Sequence, residues 1–416
     1  MCIRDSIGTL PSRSNPIGTN QETTAPANLS ELQELVRDFH DSGTPWIPSG
    51  LGSRLLWGPP LQPAAVLSVR HCRGVIDHAA DDLTITVQAG IPLVELQAVL
   101  AEHNQWLPID WPWGTTPEEA SSCGSLGGLV ARGLTGGLRH RHLGVRDQII
   151  GIGLVRSDGI EAHAGGRVVK NVAGYDLMRL LCGSWGSLAL ITELTLRVQP
   201  IRPARALLQL DGPLDALDAW RAAVMGSSLT PELLTWQKQG DQAPRLQVGV
   251  ASVSDAAVQD QIERLGALAA THQLRRERSA WQEPWPAAVG RPSTAGWLLR
   301  LSLQPTQVRP LLNSREAMAL NSWHWQLAAG AGSGDCWSPA GDTGASRGAQ
   351  VQALRQRVQA LGGHLSMLQQ PRGGAQALPA WLDAPARPLI MAVKRQFDPK
   401  QQLSRGRLPG VSHPLG

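Results

Sequence analysis

Paired cysteines, long apolar runs and clustered histidines are all missing from this sequence. The five cysteines, Cys2, Cys72, Cys123, Cys182 and Cys336, are scattered with no C-x-x-C pair. That spacing argues against a zinc ribbon, an iron–sulfur ligand set and a disulfide framework, and it points to a reducing, cytoplasmic compartment. No apolar run approaches the roughly 20 residues that a membrane-spanning helix needs. Residues 1–27 are rich in Ser, Thr, Asn, Pro and Gly and lack an apolar h-region, so they do not read as a secretory signal. A strong excess of charge is missing too. The net charge is +4, with a pI near 9.0, spread along the chain. Such a balance fits an anionic ligand better than a nucleic-acid footprint. There is no G-x-x-x-x-G-K-[ST], which excludes a P-loop nucleotidase.

What is present describes a folded protein of more than one core. At 416 residues, 42% hydrophobic and 17% charged, two domains are expected. Residues 1–28 read as a disordered or artefactual segment, and the opening MCIRDS resembles a translated adapter. A first α+β domain is expected over 29–200, a second over 201–386, and a C-terminal helix and tail over 387–416. Ser30 is a candidate N-cap for a helix whose stripe is Leu32, Leu35, Val36 and Phe39. Strands are expected at Ala65–Val69, around Leu83, Ile85 and Val87, and at Ile149–Val155, with a helix from Pro92 to Leu100. In the second half the pattern predicts helices at Leu214–Val224 and Val258–Ala270 and strands at Leu246–Val250 and Trp297–Leu303. Gly330–Gly348 reads as a loop.

Three stretches could carry chemistry. Pro48-Ser49-Gly50-Leu51-Gly52-Ser53 is a phosphate-cradle candidate, because glycines let bare backbone N–H groups converge on an anion. Leu55 takes the place of the third glycine of G-x-G-x-x-G, so a Rossmann site is not expected. An isolated G-x-G is also an ordinary tight turn. Ser125-Leu126-Gly127-Gly128 is a second cluster, followed by Arg139-His140-Arg141-His142, in which Arg139 and Arg141 read as a solvated face. Gly165–Pro200 holds Lys170, Asn171 and Tyr175, the only tyrosine, in an otherwise apolar segment. It then runs through a helical rhythm in which Leu177, Leu180 and Leu181 share a side. After Gly183-Ser184-Trp185-Gly186 comes an alternation placing Leu188, Leu190, Thr192, Leu194 and Leu196 on one face. It equally reads as a helix start and a turn with a structural role alone. Gly151-Ile152-Gly153 and the lone His163 and His364 read as structural.

The order of these motifs is more specific than any one of them. P-x-G-x-G-S, V-x-A-G, S-x-G-G, V-R-D, K-N-V-x-G-Y-D-L and G-S-x-G-[ST]-L resembles the FAD-binding domain of the vanillyl-alcohol-oxidase (PCMH-type) flavoprotein family. The likeness covers about Leu29 to Pro200, with an echo at Phe397-Asp398-Pro399 to Gly406-Arg407. The form GGRVVKNVAGYDLMRLLCGSWGSL is most similar to the FAD-binding subunits of glycolate oxidases within that family. The resemblance implies a fold of two α+β subdomains with FAD between them, followed by a second α+β domain. It implies that Ser49, Gly50, Leu51, Gly52 and Ser53 form the first cofactor loop and Ser125, Gly127 and Gly128 the second. Asp147 matches the aspartate of V-R-D, Lys170, Asn171 and Tyr175 approach from the other side, and Ile191 lies on the last strand beside the cofactor. Some relatives link flavin covalently through a histidine in the first loop; this loop has none, so non-covalent FAD is expected.

The resemblance also implies partners: a catalytic flavin subunit and an iron–sulfur subunit of a glycolate oxidase complex, with peripheral contact to the membrane through that complex. Related hydroxyacid dehydrogenases carry H-G-H-x-G-D-G-N-x-H in their second domain. Nothing between Pro200 and Phe397 matches it, and His272, His324 and His364 stand far apart. Hydride loss from a hydroxy acid needs a base or metal for the hydroxyl proton, so catalytic sufficiency of the chain alone is not expected. The alternatives are a self-sufficient FAD-dependent oxidoreductase with an unrecognised pocket in 201–386, and a scaffold that has lost flavin.

Overall fold

The computed structural model describes residues 23–110, 124–166, 176–281, 296–339, 347–371 and 377–412. The first helix, Leu29–Ser42, starts where Asn28 accepts the Glu31 N–H on its side-chain oxygen at 3.0 Å. Asn28, not Ser30, is therefore the cap, two residues earlier than the sequence pattern suggests. Glu31 accepts in return from the Ala27 N–H at 2.9 Å, and Gly43, at φ +72°, ends the helix in the left-handed region that favours glycine. Leu32 and Val36 are fully buried beneath it.

This helix joins strands of a small parallel sheet in the order Thr23–Thr24, Ala65–Ser68, Trp46–Ser49. Thr23 and Thr24 pair with Val66 and Leu67, which corrects the expectation that everything before residue 29 lies outside the fold. A five-stranded antiparallel sheet lies beside it, in the order Val75–Ala79, Thr84–Gln88, Leu190–Arg197, Ile149–Val155, Glu161–Gly165. Ile85 and Val87 enter its core, while the buried Thr86 and Thr195 hydroxyls face each other at 3.0 Å. Leu93–Ala101 is a helix with Pro92 as its cap.

Two further expectations need correction. The run from Leu188 does not keep one face. Gly153 pairs with Glu193 and Leu154 with Ile191, a bulge at Thr192 that reverses the alternation. Ile191, Leu194 and Leu196 thus share one core while Leu190 joins another. In the helix Leu177–Leu181, Leu181 is buried and Met178 packs on the core, but Leu180 is exposed.

The second half builds an eight-stranded antiparallel sheet in the order 275–280, 204–211, 245–252, 233–238, 324–328, 333–337, 298–302, 364–369. Ser333–Trp337 is one of its central strands, inside the stretch expected to be a loop. Its small and polar residues hid a pairing that Gly334 requires, since a Cβ there would overlap the neighbouring backbone. Helices Leu214–Met225, Asp255–Thr271 and Gly348–Ala360 cover one face, with Leu299, Leu301 and Trp325 in the core between. The other face turns to the first domain. Leu233 packs with Trp106 and Leu138, and Leu298, Trp337 and Leu368 pack with Trp57, Leu134 and Trp185. The helix Arg387–Phe397 then returns, with Val393 and Phe397 against the first domain's core.

Candidate cofactor site

The first loop leaves the parallel sheet at Ser49. Its conformation is fixed from behind: the Ser49 carbonyl accepts from the Val69 N–H at 2.8 Å, and the Ser68 hydroxyl donates to the Gly50 carbonyl at 2.7 Å. Gly52 sits at φ +74°. Among the described residues, the N–H groups of Leu51, Gly52 and Ser53 donate to no protein acceptor. The second loop opens the helix Leu126–Arg132, capped by the Ser125 hydroxyl, which accepts the Gly128 N–H at 3.2 Å. The two loops touch. A Cβ on Gly50 would stand 1.9 Å from the Ser125 hydroxyl, and one on Gly127 would stand 2.9 Å from the Ala89 side chain. Only bare backbone permits both approaches.

Between the loops lies a cleft of about 770 Å³, a volume that includes space open to solvent. Ser49, Gly50, Leu51, Gly52 and Ser53, with Ser125, Gly127, Gly128 and Ile191, all line it. Asp147 does not. Its carboxylate accepts the Gly144 N–H at 3.1 Å and caps the start of a short helix. Lys170, Asn171 and Tyr175 lie outside the described residues. Among the cleft residues that the sequence did not assign to the site are Arg54, Arg132, Trp185 and Arg407. Trp185 and Arg407 stood in motifs already noted, where glycines drew the attention. Arg132 had no motif to mark it.

The amides fit an anion but are unequally available. In the second loop, Leu126 N–H donates to Ile91 O at 3.0 Å and Gly127 N–H to Ala89 O at 2.8 Å. The first loop thus offers the unspent donors, and the second supplies shape. Arginines add charge. Burial, with Arg54 and Arg407 nearby, holds the Arg132 guanidinium well below its usual pKa, and burial brings Arg407 down to about 10. A cleft with unspent amides, glycines in forced contact and cationic walls suits the pyrophosphate of a dinucleotide.

The seam between the domains is also polar. Asp110 accepts from the Gly136 and Leu138 N–H groups at 2.5 and 3.0 Å, and Asp335 faces Arg300 at 3.2 Å. Burial pushes both carboxyls up, against the pull of Arg300. His142, buried, meets Glu232 at 2.8 Å, while Arg139 and Arg141 face solvent as expected. His163 is not wholly without an acidic neighbour, since Glu161 lies 3.5 Å away at the surface. Among the described residues, no group of three His, Cys, Asp or Glu side chains could hold a metal ion, and no helix is long and apolar enough to cross a membrane.

Residues 22–165 match the model of the FAD binding domain family. The chain is 36% identical over 209 residues to the glycolate oxidase subunit GlcE of Escherichia coli (strain K12), covering 50% of this chain and 54% of that one. It is 29% identical over 219 residues to the glycolate oxidase subunit GlcD of Bacillus subtilis (strain 168), covering 52% and 45%. The chain thus spans about half the length of the curated relatives it matches. Its fold is similar to that of an alkyldihydroxyacetonephosphate synthase, with TM-score 0.63 at 14% identity, over 91% of this chain and 76% of that one.

Proposed function

We propose that this chain, whose residues 22–165 match the FAD binding domain family and whose cofactor is FAD, is the FAD-binding subunit of a glycolate oxidase complex. Beside a catalytic flavin subunit and an iron–sulfur subunit, it would handle electrons taken from glycolate as glyoxylate forms. The observation that carries this reading is the preserved cleft. Loop one keeps unspent amides and positive φ at Gly52, and loop two keeps glycine where any side chain would collide. A scaffold without flavin has no use for either. When bound, FAD supplies a two-electron acceptor; the residues of the two loops would hold its phosphates.

A second reading, oxidation of a hydroxy acid by this chain unaided, is favoured by one observation. Asp335 lies on the sheet face turned to the FAD domain, two residues from Trp337, which packs on Trp57 and Trp185. Its half-buried carboxyl, with raised pKa, is a candidate acceptor for a hydroxyl proton, a role worth about 10²–10⁴-fold when positioned. One experiment separates the readings. Flavin-loaded chain is mixed anaerobically with excess glycolate while flavin absorbance is followed. Bleaching is expected only after the partner subunits are added. Rapid bleaching by the isolated chain would overturn the subunit reading, and its loss in Asp335→Asn would then assign the base. Flavin released by heat is expected to be FAD, and FMN in well-folded protein would contradict the two-loop site.

A further inference from the structure

We propose that Arg132, flanked by Arg54 and Arg407, is a charged anion-holding element of the cleft that takes over from the second loop's spent amides, and that the oxyanion it holds is the cofactor's pyrophosphate. Arg132 ends the helix that the second loop begins. Its Nη1 donates to the Gly128 carbonyl at 3.2 Å, and its Nη2 donates to the Arg54 carbonyl just past the first loop. One guanidinium therefore spans both loops. Its Nε is buried and has no acceptor.

The surroundings leave the charge unanswered. Among the described residues no carboxylate lies within ion-pair distance of Arg132 or Arg407. Arg407, 3% exposed, gives its N–H groups to the Trp57 and Pro59 carbonyls at 2.5 and 3.1 Å. Indole faces also lie beside these groups. Arg132 lies 5.8 Å from the Trp57 ring and 5.3 Å from Trp185, Arg54 lies 5.3 Å from Trp57, and Arg407 lies 5.9 Å from Trp185. Carbonyl dipoles and ring faces orient guanidinium groups but bring no net negative charge. Gathering like charges in a partly buried site is unfavourable unless an anion joins them.

Two oxyanions could enter this cleft, a phosphate of the dinucleotide or the carboxylate of a hydroxy acid. Position favours the phosphate. A Cβ on Gly124 would overlap the Arg54 guanidinium, and one on Gly128 would stand 3.8 Å from Arg132 Nη1. The cations thus border the glycine cradle itself.

The test uses full-length protein freed of flavin and titrated with FAD and with riboflavin, which has no phosphate, over a range of salt. Arg132→Met is expected to weaken FAD binding roughly tenfold to a hundredfold, as for loss of a charge-assisted contact, and to flatten its salt dependence while riboflavin affinity holds. Arg132→Lys should restore the salt dependence more than the affinity. Arg54→Met gives an independent reading should Arg132→Met fail to fold, with the same pattern expected. Equal loss for FAD and riboflavin would reduce Arg132 to a structural tie and overturn the proposal. So would unchanged FAD binding, or a variant in which only the flavin's spectral response to glycolate weakens, which would make the anion a carboxylate.

Discussion

Gly52→Val should give a chain that folds but carries no flavin. Gly52 holds φ +74° in the first loop, a region where a side chain costs about 1–2 kcal/mol and a β-branched one is a genuine outlier. An added Cβ would meet little protein, only the Ser49 hydroxyl at 3.8 Å. The variant is therefore not driven to unfold by collision. It relieves strain by turning the loop, and that turn redirects the unspent N–H groups of Leu51, Gly52 and Ser53. Charge-assisted hydrogen bonds contribute about 1.5–3 kcal/mol each, so losing two lowers FAD affinity at least about a hundredfold. Gly43→Val is the matched control. Gly43 has φ +72° and nothing within 4 Å of a Cβ, but it caps a helix away from the cleft. It should lose comparable stability and keep its flavin. Absorbance per mole of protein, beside the thermal midpoint, reads both. A full flavin load in Gly52→Val would remove the first loop from the site.

Why Gly52 was legible in the sequence and Arg132 was not follows from the physics each uses. Glycine at a forced approach or a positive φ has no substitute, so Gly50, Gly52, Gly127 and Gly128 stand out as a pattern, and all four line the cleft. Strand Ile149–Val155 was equally plain, because seven apolar or glycine residues end at a Ser-Asp-Gly turn. Arg132 instead acts through a partner 78 positions away, the Arg54 carbonyl, and no local spacing encodes such a contact. Asp147 misled for the opposite reason. Its motif was recognisable, but an aspartate three residues after Gly144 serves the backbone as a cap. The strand Ser333–Trp337 was hidden because Gly and Asp have low strand propensity, and its place was decided by neighbours on both sides. The bulge at Thr192 left no trace in an alternation that looked unbroken.

The C-terminal echo of the family pattern has a mechanical meaning, and breaking it should be the costliest change to stability. Lys394 is 4% exposed and donates to Asp398 Oδ2 at 2.6 Å, to the Ser187 carbonyl at 2.7 Å and to the Leu403 carbonyl at 2.7 Å. All three ammonium protons are used. Asp398, fully buried, accepts in turn from the Gln402 and Leu403 N–H groups at 3.1 and 2.8 Å. Ser187 follows the cleft residue Gly186, and Leu403 bridges Trp46 at the root of the first loop. One ion pair thus bolts the last helix to both walls of the cofactor site. A buried pair adds little over a well-packed apolar one, but removing half of it strands a buried charge, at about 3–5 kcal/mol. Lys394→Met should therefore lower stability by that amount and release flavin along with it. Lys394→Met combined with Asp398→Leu should recover only part, because the Ser187 and Leu403 carbonyls and two N–H groups stay unpaired. Excess FAD at 100 times its Kd should restore about 2.7 kcal/mol to any variant whose cleft still forms. Denaturant melts of the three chains, with and without FAD, measure each term. A Lys394→Met midpoint within about 1 kcal/mol of the parent, the ordinary scale of a point substitution, would mean that the helix Arg387–Phe397 docks without this bolt.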